Sequence, residues 1–417
     1  MTSTPPLSPP SAAAQALADR LAQAREQGQT AVFTAQDAAL FPAASGISLG
    51  GLTAIRRYRQ ADRILTIETG VSWGELSRLT GDLNHGLALS YPDDTTLADI
   101  LAEDRPSLAT GLSGGYPRDV VLGVEIATPD GLLTRAGGEV IKNVTGYDLC
   151  KLYLGAGHAL GALTAVTLRL RAQPQTRQGL LLTFDADDFN AALETQRAAR
   201  LASESTLAAA LSACELYRDA PPQGFWQLFF MLEGFEESVA SAARQLQDAF
   251  ASRAQTSRLM PPEACEALCA QLDAQTHPLT LEIAGGLAQT ASITREAIGA
   301  FKSPVCPPPA SIQIREAAGL TLLSWNADGA PTPQALQAAA TPLLTSLSAH
   351  GVTARLTRIP PGFAPLAEAW NLPREAETAL RAIHARLKRA CDPAGVIYSG
   401  IMPLHALLPE YAGDARP

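Results

Sequence analysis

The sequence predicts an α+β fold in three parts: a first unit of mixed strands and helices over 1–174, an α+β unit over 175–374, and a C-terminal helix and tail over 375–417. Three observations carry this. Short β-rich runs alternate with helical patterns up to Gln173-Pro174, which closes the first unit. Residues 120–128 and 132–135 flank Pro129-Asp130-Gly131, which is the chemistry of a hairpin turn. Beyond Gly179, Ala-rich helical patterns alternate with apolar strand runs. At 417 residues, 47% of them hydrophobic, the chain is long enough to build more than one core.

Residues 11–26 form the first predicted helix: Ser11 stands at its cap, Leu17 and Leu21 fall on one face, and Gly28 follows its end. Strands are expected over 31–35 and 64–69. Ser72-Trp73-Gly74-Glu75 is a capping box that opens a helix to residue 83, and 87–90 returns as a strand. After the hairpin, 148–154 reads as a short helix. Residues 163–170 set Leu163, Val166, Leu168 and Leu170 among Thr and Arg, the mixture of a half-buried strand. In the second unit, 179–184 and 225–232 read as strands, and proline-rich stretches at 304–309 and 360–361 punctuate the chain. A last helix is expected over 379–390, before Asp392-Pro393-Ala394-Gly395.

The net charge of -9, with no cluster of Lys and Arg, argues against nucleic acid or an anionic lipid surface as the main partner. The first ten residues carry neither a basic residue nor an apolar run, so no secretory signal is expected and the location predicted is cytoplasmic. No stretch is apolar enough to predict a membrane span, which leaves any membrane association to partners. Six scattered cysteines do not make a disulfide framework. Cys265 and Cys269 have the i,i+4 spacing of two metal ligands, but no second pair accompanies them; buried thiols are the simpler reading, and no metal site is predicted.

Three ordered blocks within residues 118–170 are the most informative part of the chain: RDVVLGVEIATPDG, GGEVIKNVTGYDL and LGAGHALGALTAVTLRL. Together they resemble the flavin-binding domain of the PCMH-type, or vanillyl-alcohol-oxidase-like, oxidoreductases. Residues 142–149, KNVTGYDL, are most similar to the glycolate oxidase and D-lactate dehydrogenase branch. Residues 387–396, LKRACDPAGV, resemble the closing helix and turn of the same family. Residues 179–374 match only in length and α+β character, where that family keeps its FAD-linked-oxidase cap domain.

The resemblance implies a PCMH-type FAD-binding domain of two α/β subdomains over 1–174, to which the C-terminal helix and tail over 375–417 return, and a noncovalently held FAD. It implies Pro92, Thr96, Gly111, Gly114, Gly115, Arg118, Asp119, Gly161 and Leu163 as the cofactor-binding residues. In that family the pyrophosphate rests on two loops rich in Gly, Ser and Thr. Here residues 34–40 contain no glycine, and 96–100 read Thr-Leu-Ala-Asp-Ile, so Asp37 and Asp99 stand near the expected phosphates. His158-Ala159 and Tyr398-Ser399-Gly400-Ile401 are further departures. The six histidines are far apart in sequence and form no evident proton-abstracting set, so catalytic residues are not assigned. The resemblance therefore implies an FAD-binding accessory subunit of a glycolate oxidase complex that oxidises a small 2-hydroxy acid, with a larger flavin-binding catalytic subunit and an iron–sulfur subunit as partners. A flavin-free scaffold of the same kind of complex, or an independent FAD-dependent D-2-hydroxy-acid dehydrogenase, are the alternatives.

Overall fold

Ser11 accepts a hydrogen bond from the Ala14 N–H at 3.0 Å, and the helix it caps, α1 (Ala12–Glu26), buries Leu17 and Leu21 as their spacing requires. The computed structural model describes residues 9–33, 45–104, 106–107, 116–139, 147–202, 211–219, 224–273, 279–286, 289–301, 306–357, 360, 363, 366 and 378–397. After α1, β1 (Ala31–Val32) and β2 (Ser45–Gly46) pair in parallel. Ala31 also donates its N–H to the Val396 carbonyl at 2.7 Å, so one of the last described segments lies beside the first strand. Leu21, Phe33, Ile47, Leu49, Val396 and Ile397 share the small core that results.

The chain then builds β3 (Ile55–Arg59), β4 (Ile64–Glu68), α2 (Trp73–Asp82), β5 (His85–Gly86), α3 (Leu97–Glu103), α4 (Pro117–Val120), β6 (Val121–Ala127), β7 (Leu133–Gly137), α5 (Cys150–Tyr153), β8 (Ala162–Arg169) and β9 (Arg171–Ala172). Five of these strands form an antiparallel sheet in the order β3-β4-β8-β6-β7, whose apolar face packs on α2, α3 and α5. The Ser72–Glu75 capping box opens α2, with both reciprocal bonds made. The 120–135 hairpin is β6 and β7.

Two expectations are corrected here. Strand β8 is not half-buried: it lies at the centre of the sheet and only its last residue is exposed. Its threonines are satisfied inside, Thr164 Oγ1 donating to the Glu125 carbonyl at 3.2 Å and Thr167 Oγ1 lying 2.9 Å from Thr66 Oγ1. The strand expected at 87–90 is displaced to β5, which pairs with β9; Leu87 and Leu89 satisfy their alternation by entering the core without a ladder.

From residue 176 the chain supplies β10 (Thr176–Phe184), α6 (Phe189–Ala202), β11 (Leu211–Asp219), β12 (Trp226–Gly234), α7 (Glu236–Phe250), β13 (Thr256–Met260), α8 (Pro262–Asp273), β14 (Leu279–Ala284), α9 (Thr290–Ala300), β15 (Ser311–Arg315), β16 (Leu320–Trp325), α10 (Pro333–Ala349) and β17 (Thr353–Thr357). The strands make one antiparallel eight-stranded sheet, ordered β13-β10-β12-β11-β15-β16-β14-β17. Strand alternation splits its faces: Leu180, Leu182 and Phe184 join the core beneath α6, α7, α9 and α10, while Leu181 joins a smaller core beneath α8. Cys265 and Cys269 are buried in that smaller core beside Met231, and burial pushes the Cys265 thiol up to about 11. Helix α11 (Thr378–Cys391) ends the described chain before the 392–397 turn. No described helix is long and apolar enough to cross a membrane.

Candidate functional site

Most of the described residues expected to hold the cofactor lie around α3. Thr96 caps this helix: its Oγ1 accepts from the Asp99 N–H at 3.2 Å and donates to Asp99 Oδ2 at 2.7 Å. A capped helix therefore stands where a glycine-rich loop was expected. The neighbouring N–H groups are given to protein carbonyls: Thr95 to Pro92 at 3.0 Å, Leu97 to Val71 at 2.9 Å and Ala98 to Thr69 at 2.8 Å. Asp37, Gly111, Gly114 and Gly115 lie outside the described residues.

At the other end of α3, Asp104 is buried in the left-handed conformation at φ 45°. Its carboxylate accepts from the Arg118 N–H at 2.9 Å and forms an ion pair with Arg118 Nε. The Arg118 guanidinium also stacks over the Tyr116 ring, 4.4 Å from its centre. Asp119 accepts from the Tyr116 N–H at 2.9 Å and gives its own N–H to the Tyr116 carbonyl, also at 2.9 Å. Burial raises the Asp104 carboxyl to about 6, against the pull of Arg118.

The turn before β8 docks on the same helix, with the Gly155 and Gly157 N–H groups on the Leu101 and Ala102 carbonyls at 2.9 and 3.0 Å. Gly161 is required there: at φ 150° any Cβ would lie 2.5 Å from Ile126 Cγ2. Its N–H goes to the His158 carbonyl at 3.1 Å, and the Leu163 N–H points to His158 Nδ1 at 3.5 Å. His158 is itself in the left-handed region, at φ 60°, only 3% exposed, with its ring 5.6 Å from that of Phe33. Burial pushes its pKa down to about 4, so the imidazole is neutral. With Nδ1 accepting, the proton sits on Nε2, which has no hydrogen-bond partner among the described residues.

Beside this turn, Lys388 of α11 sends its Nζ to the Ala159 carbonyl at 2.7 Å, the Ile397 carbonyl at 2.9 Å and Asp392 Oδ2 at 2.6 Å. Asp392 in turn accepts from the Val396 and Ile397 N–H groups at 2.8 and 2.9 Å. Residues remote in sequence thus approach one another: the His158 ring lies against Phe33, and the Ala159 and Ile397 carbonyls share the Lys388 ammonium; residues 34–40 and 398–401 lie outside the described residues.

Between α3 and the eight-stranded sheet lies an open cleft, with Pro92 and Thr95 on one wall and Glu282, Gln313 and Arg315 on the other. The charged groups on the sheet wall are engaged. Arg315 donates to the Pro106 carbonyl at 2.6 Å, and Glu282 is held by Arg355 at 2.6 Å. Among the described residues no group of acids, cysteines and histidines is placed to hold a metal. The structure therefore distributes the described part of the expected set around α3: Pro92 in the cleft, Thr96 at its cap, Arg118 and Asp119 at the Asp104 staple, and Gly161 and Leu163 in the His158 turn. Neither the Asp104 staple nor the Lys388–Asp392 lock was foreseen, although Lys388 and Asp392 do stand at helical i,i+4 spacing.

At the start of α3 the residues fit a pyrophosphate poorly: such a group needs free N–H donors or cations, and here the Thr95, Leu97 and Ala98 N–H groups are bonded to protein carbonyls while a carboxylate, Asp99, sits among them.

No family model matches the chain. It is 34% identical over 113 residues to glycolate oxidase subunit GlcD of Bacillus subtilis, a match that covers 26% of this chain and 23% of that protein. Over 79 residues it is 42% identical to glycolate oxidase subunit GlcE of Escherichia coli, covering 18% and 23%. A D-2-hydroxyglutarate dehydrogenase of Stutzerimonas stutzeri is 30% identical over 142 residues, covering 33% and 30%. The chain thus spans less than a third of the length of each of these relatives. Among solved structures, p-cresol methylhydroxylase with substrate bound superposes with a TM-score of 0.68 at 13% identity, over 94% of this chain and 88% of the other. An alkyldihydroxyacetonephosphate synthase superposes with a TM-score of 0.64, over 91% and 74%. The fold is the α+β fold of the PCMH-type flavoproteins, and the sequence relatives are glycolate oxidase subunits and FAD-linked oxidoreductases.

Proposed function

We propose that the chain is an accessory subunit of a glycolate-oxidase-type complex, in which a larger flavin-binding subunit and an iron–sulfur subunit oxidise a small 2-hydroxy acid such as glycolate to the 2-oxo acid. Its working units are 1–174, 175–374 and 375–417, and its location is the cytoplasm, with any membrane association through partners. The observation that carries the accessory reading is the engaged state of the cleft. Alcohol oxidation needs a base for the hydroxyl proton and an acceptor for the hydride. Here Glu282 is held by Arg355, Arg315 is tied to the backbone of the facing segment, and Asp104 is paired with Arg118. The likeness to glycolate oxidase subunits supports the choice of complex.

The expected outcome is that the isolated chain oxidises neither glycolate nor D-lactate with an artificial electron acceptor, whereas the complex loses activity when this chain is omitted. Turnover by the isolated chain at a rate comparable to the complex would instead support an independent D-2-hydroxy-acid dehydrogenase. That second reading draws on the D-lactate dehydrogenase of Archaeoglobus fulgidus, 29% identical over 143 residues.

A further inference from the structure

We infer that the cleft between α3 and the eight-stranded sheet opens by a turn of two rigid bodies about Pro174, with the Arg315–Pro106 contact as the latch that holds it shut. The motion belongs to the chain itself, whatever complex the chain serves in.

Among the described residues the two bodies share no apolar core. The clusters around the five-stranded sheet and the first strands draw on residues up to 170 and on Val396 and Ile397, whereas those on the two faces of the eight-stranded sheet draw on residues 180–366. Bodies that meet without a common core can turn against one another while each keeps its apolar surface buried.

The pivot is marked by the place where backbone bonds change sides. Gln173 gives its N–H to the Asn84 carbonyl in the first body at 3.3 Å, and Gln175 gives its own to the Gly234 carbonyl in the second at 3.1 Å. Pro174, between them, has no N–H to give to either. The torsions around it therefore turn without breaking a bond of either sheet. Glu233 keeps the pivot in place, because it holds Arg171 before Pro174 and Arg177 after it, each at 2.7 Å. The chain crosses back between residues 366 and 378, outside the described residues.

Across the cleft, Arg315 of β15 donates from Nη1 to the Pro106 carbonyl at 2.6 Å. Pro106 follows the Asp104 turn, which the ion pair with Arg118 fixes to the first body. This bond can be exchanged. Arg315 is 8% exposed, and when it lets go its guanidinium stays beside Glu215 of its own sheet, 3.8 Å away, and Gln313 Oε1, 3.5 Å away. Release therefore does not strand a buried cation without a counter-charge. The freed Pro106 carbonyl faces the widened cleft, where water replaces the guanidinium. Glu282 and Arg355 are paired within the sheet and travel with it. Opening thus exchanges a hydrogen bond and breaks no core.

The test uses the full chain with Ser77→Cys on α2 and Ala338→Cys on α10, both exposed helix positions, and with Cys391→Ser to remove the native thiol that is only half-buried. Spin labels on the two introduced thiols report the distance between the bodies by double electron–electron resonance. In the labelled parent a narrow distribution is expected. Arg315→Met is expected to add a second peak, separated from the first by more than its width, with the far-UV circular dichroism unchanged. A folded Arg315→Met that shows the parent peak alone would overturn the latch. Should that variant fail to fold, the labelled parent decides in a urea series: the second peak is expected while circular dichroism still reports both sheets intact, and a direct passage from the parent peak to the unfolded distribution overturns the inference.

Discussion

Asp104 follows α3 directly and His158 lies in the turn that docks on that helix; both are buried, and their protons pull stability in opposite directions. Asp104 is raised to about 6, so the folded protein binds more protons than the unfolded chain between pH 3.8 and 6, and this group lowers stability as pH rises through that window. His158 is depressed to about 4; between pH 4 and 6.5 the unfolded chain binds more protons, so this group's contribution is complete above 6.5 and is lost as pH falls toward 4. The two slopes oppose each other between pH 4 and 6. His158→Gln removes one of them, and urea midpoints of that variant are expected to fall from pH 4 to pH 6 more steeply than those of the wild type. Equal slopes would mean that His158 does not titrate as its burial requires. Lys388 gives a larger effect: Lys388→Met leaves Asp392 buried without its cation and is expected to cost about 3–5 kcal/mol in urea unfolding at pH 7.

At the scale of elements, α3 is the part on which the expected site residues converge. Its cap is open to a simple test: Thr96→Ala removes the acceptor for the Asp99 N–H and is expected to lower stability by about 1 kcal/mol, measured by chemical denaturation. The local signal for this helix was present in the sequence, since Thr96-Leu97-Ala98-Asp99 places a capping hydroxyl three residues before a carboxylate, but the family pattern favoured a loop. Helix α1 and the Ser72–Glu75 box were legible because the groups that decide them are three or four residues apart. Strands β13 to β17 were not, since short runs in an Ala-rich context acquire their identity from neighbours distant in sequence. The same holds for the site: Lys388 and Asp392 share a readable spacing, whereas the approach of His158 to Phe33 exists only after folding.

For the whole molecule, the two large sheets have separate cores, and Glu233 joins elements on either side of the passage between them. It is 6% exposed and accepts from Arg171 of β9 and Arg177 of β10, each at 2.7 Å. Two cores linked in this way need not unfold as one. Glu233→Ala is expected to separate the calorimetric unfolding into two resolved transitions; a single transition shifted downward would show that other contacts couple the cores. The pairing of Ala31 with Val396 and Ile397 carries a different consequence, one of timing. During synthesis the first strand leaves the ribosome long before its partner exists, and at about 5–20 residues per second the wait is on the order of half a minute. For that interval Phe33, Ile47 and Leu49 have an unfinished core, so this apolar surface stays open on the nascent chain until Val396 and Ile397 emerge to close it.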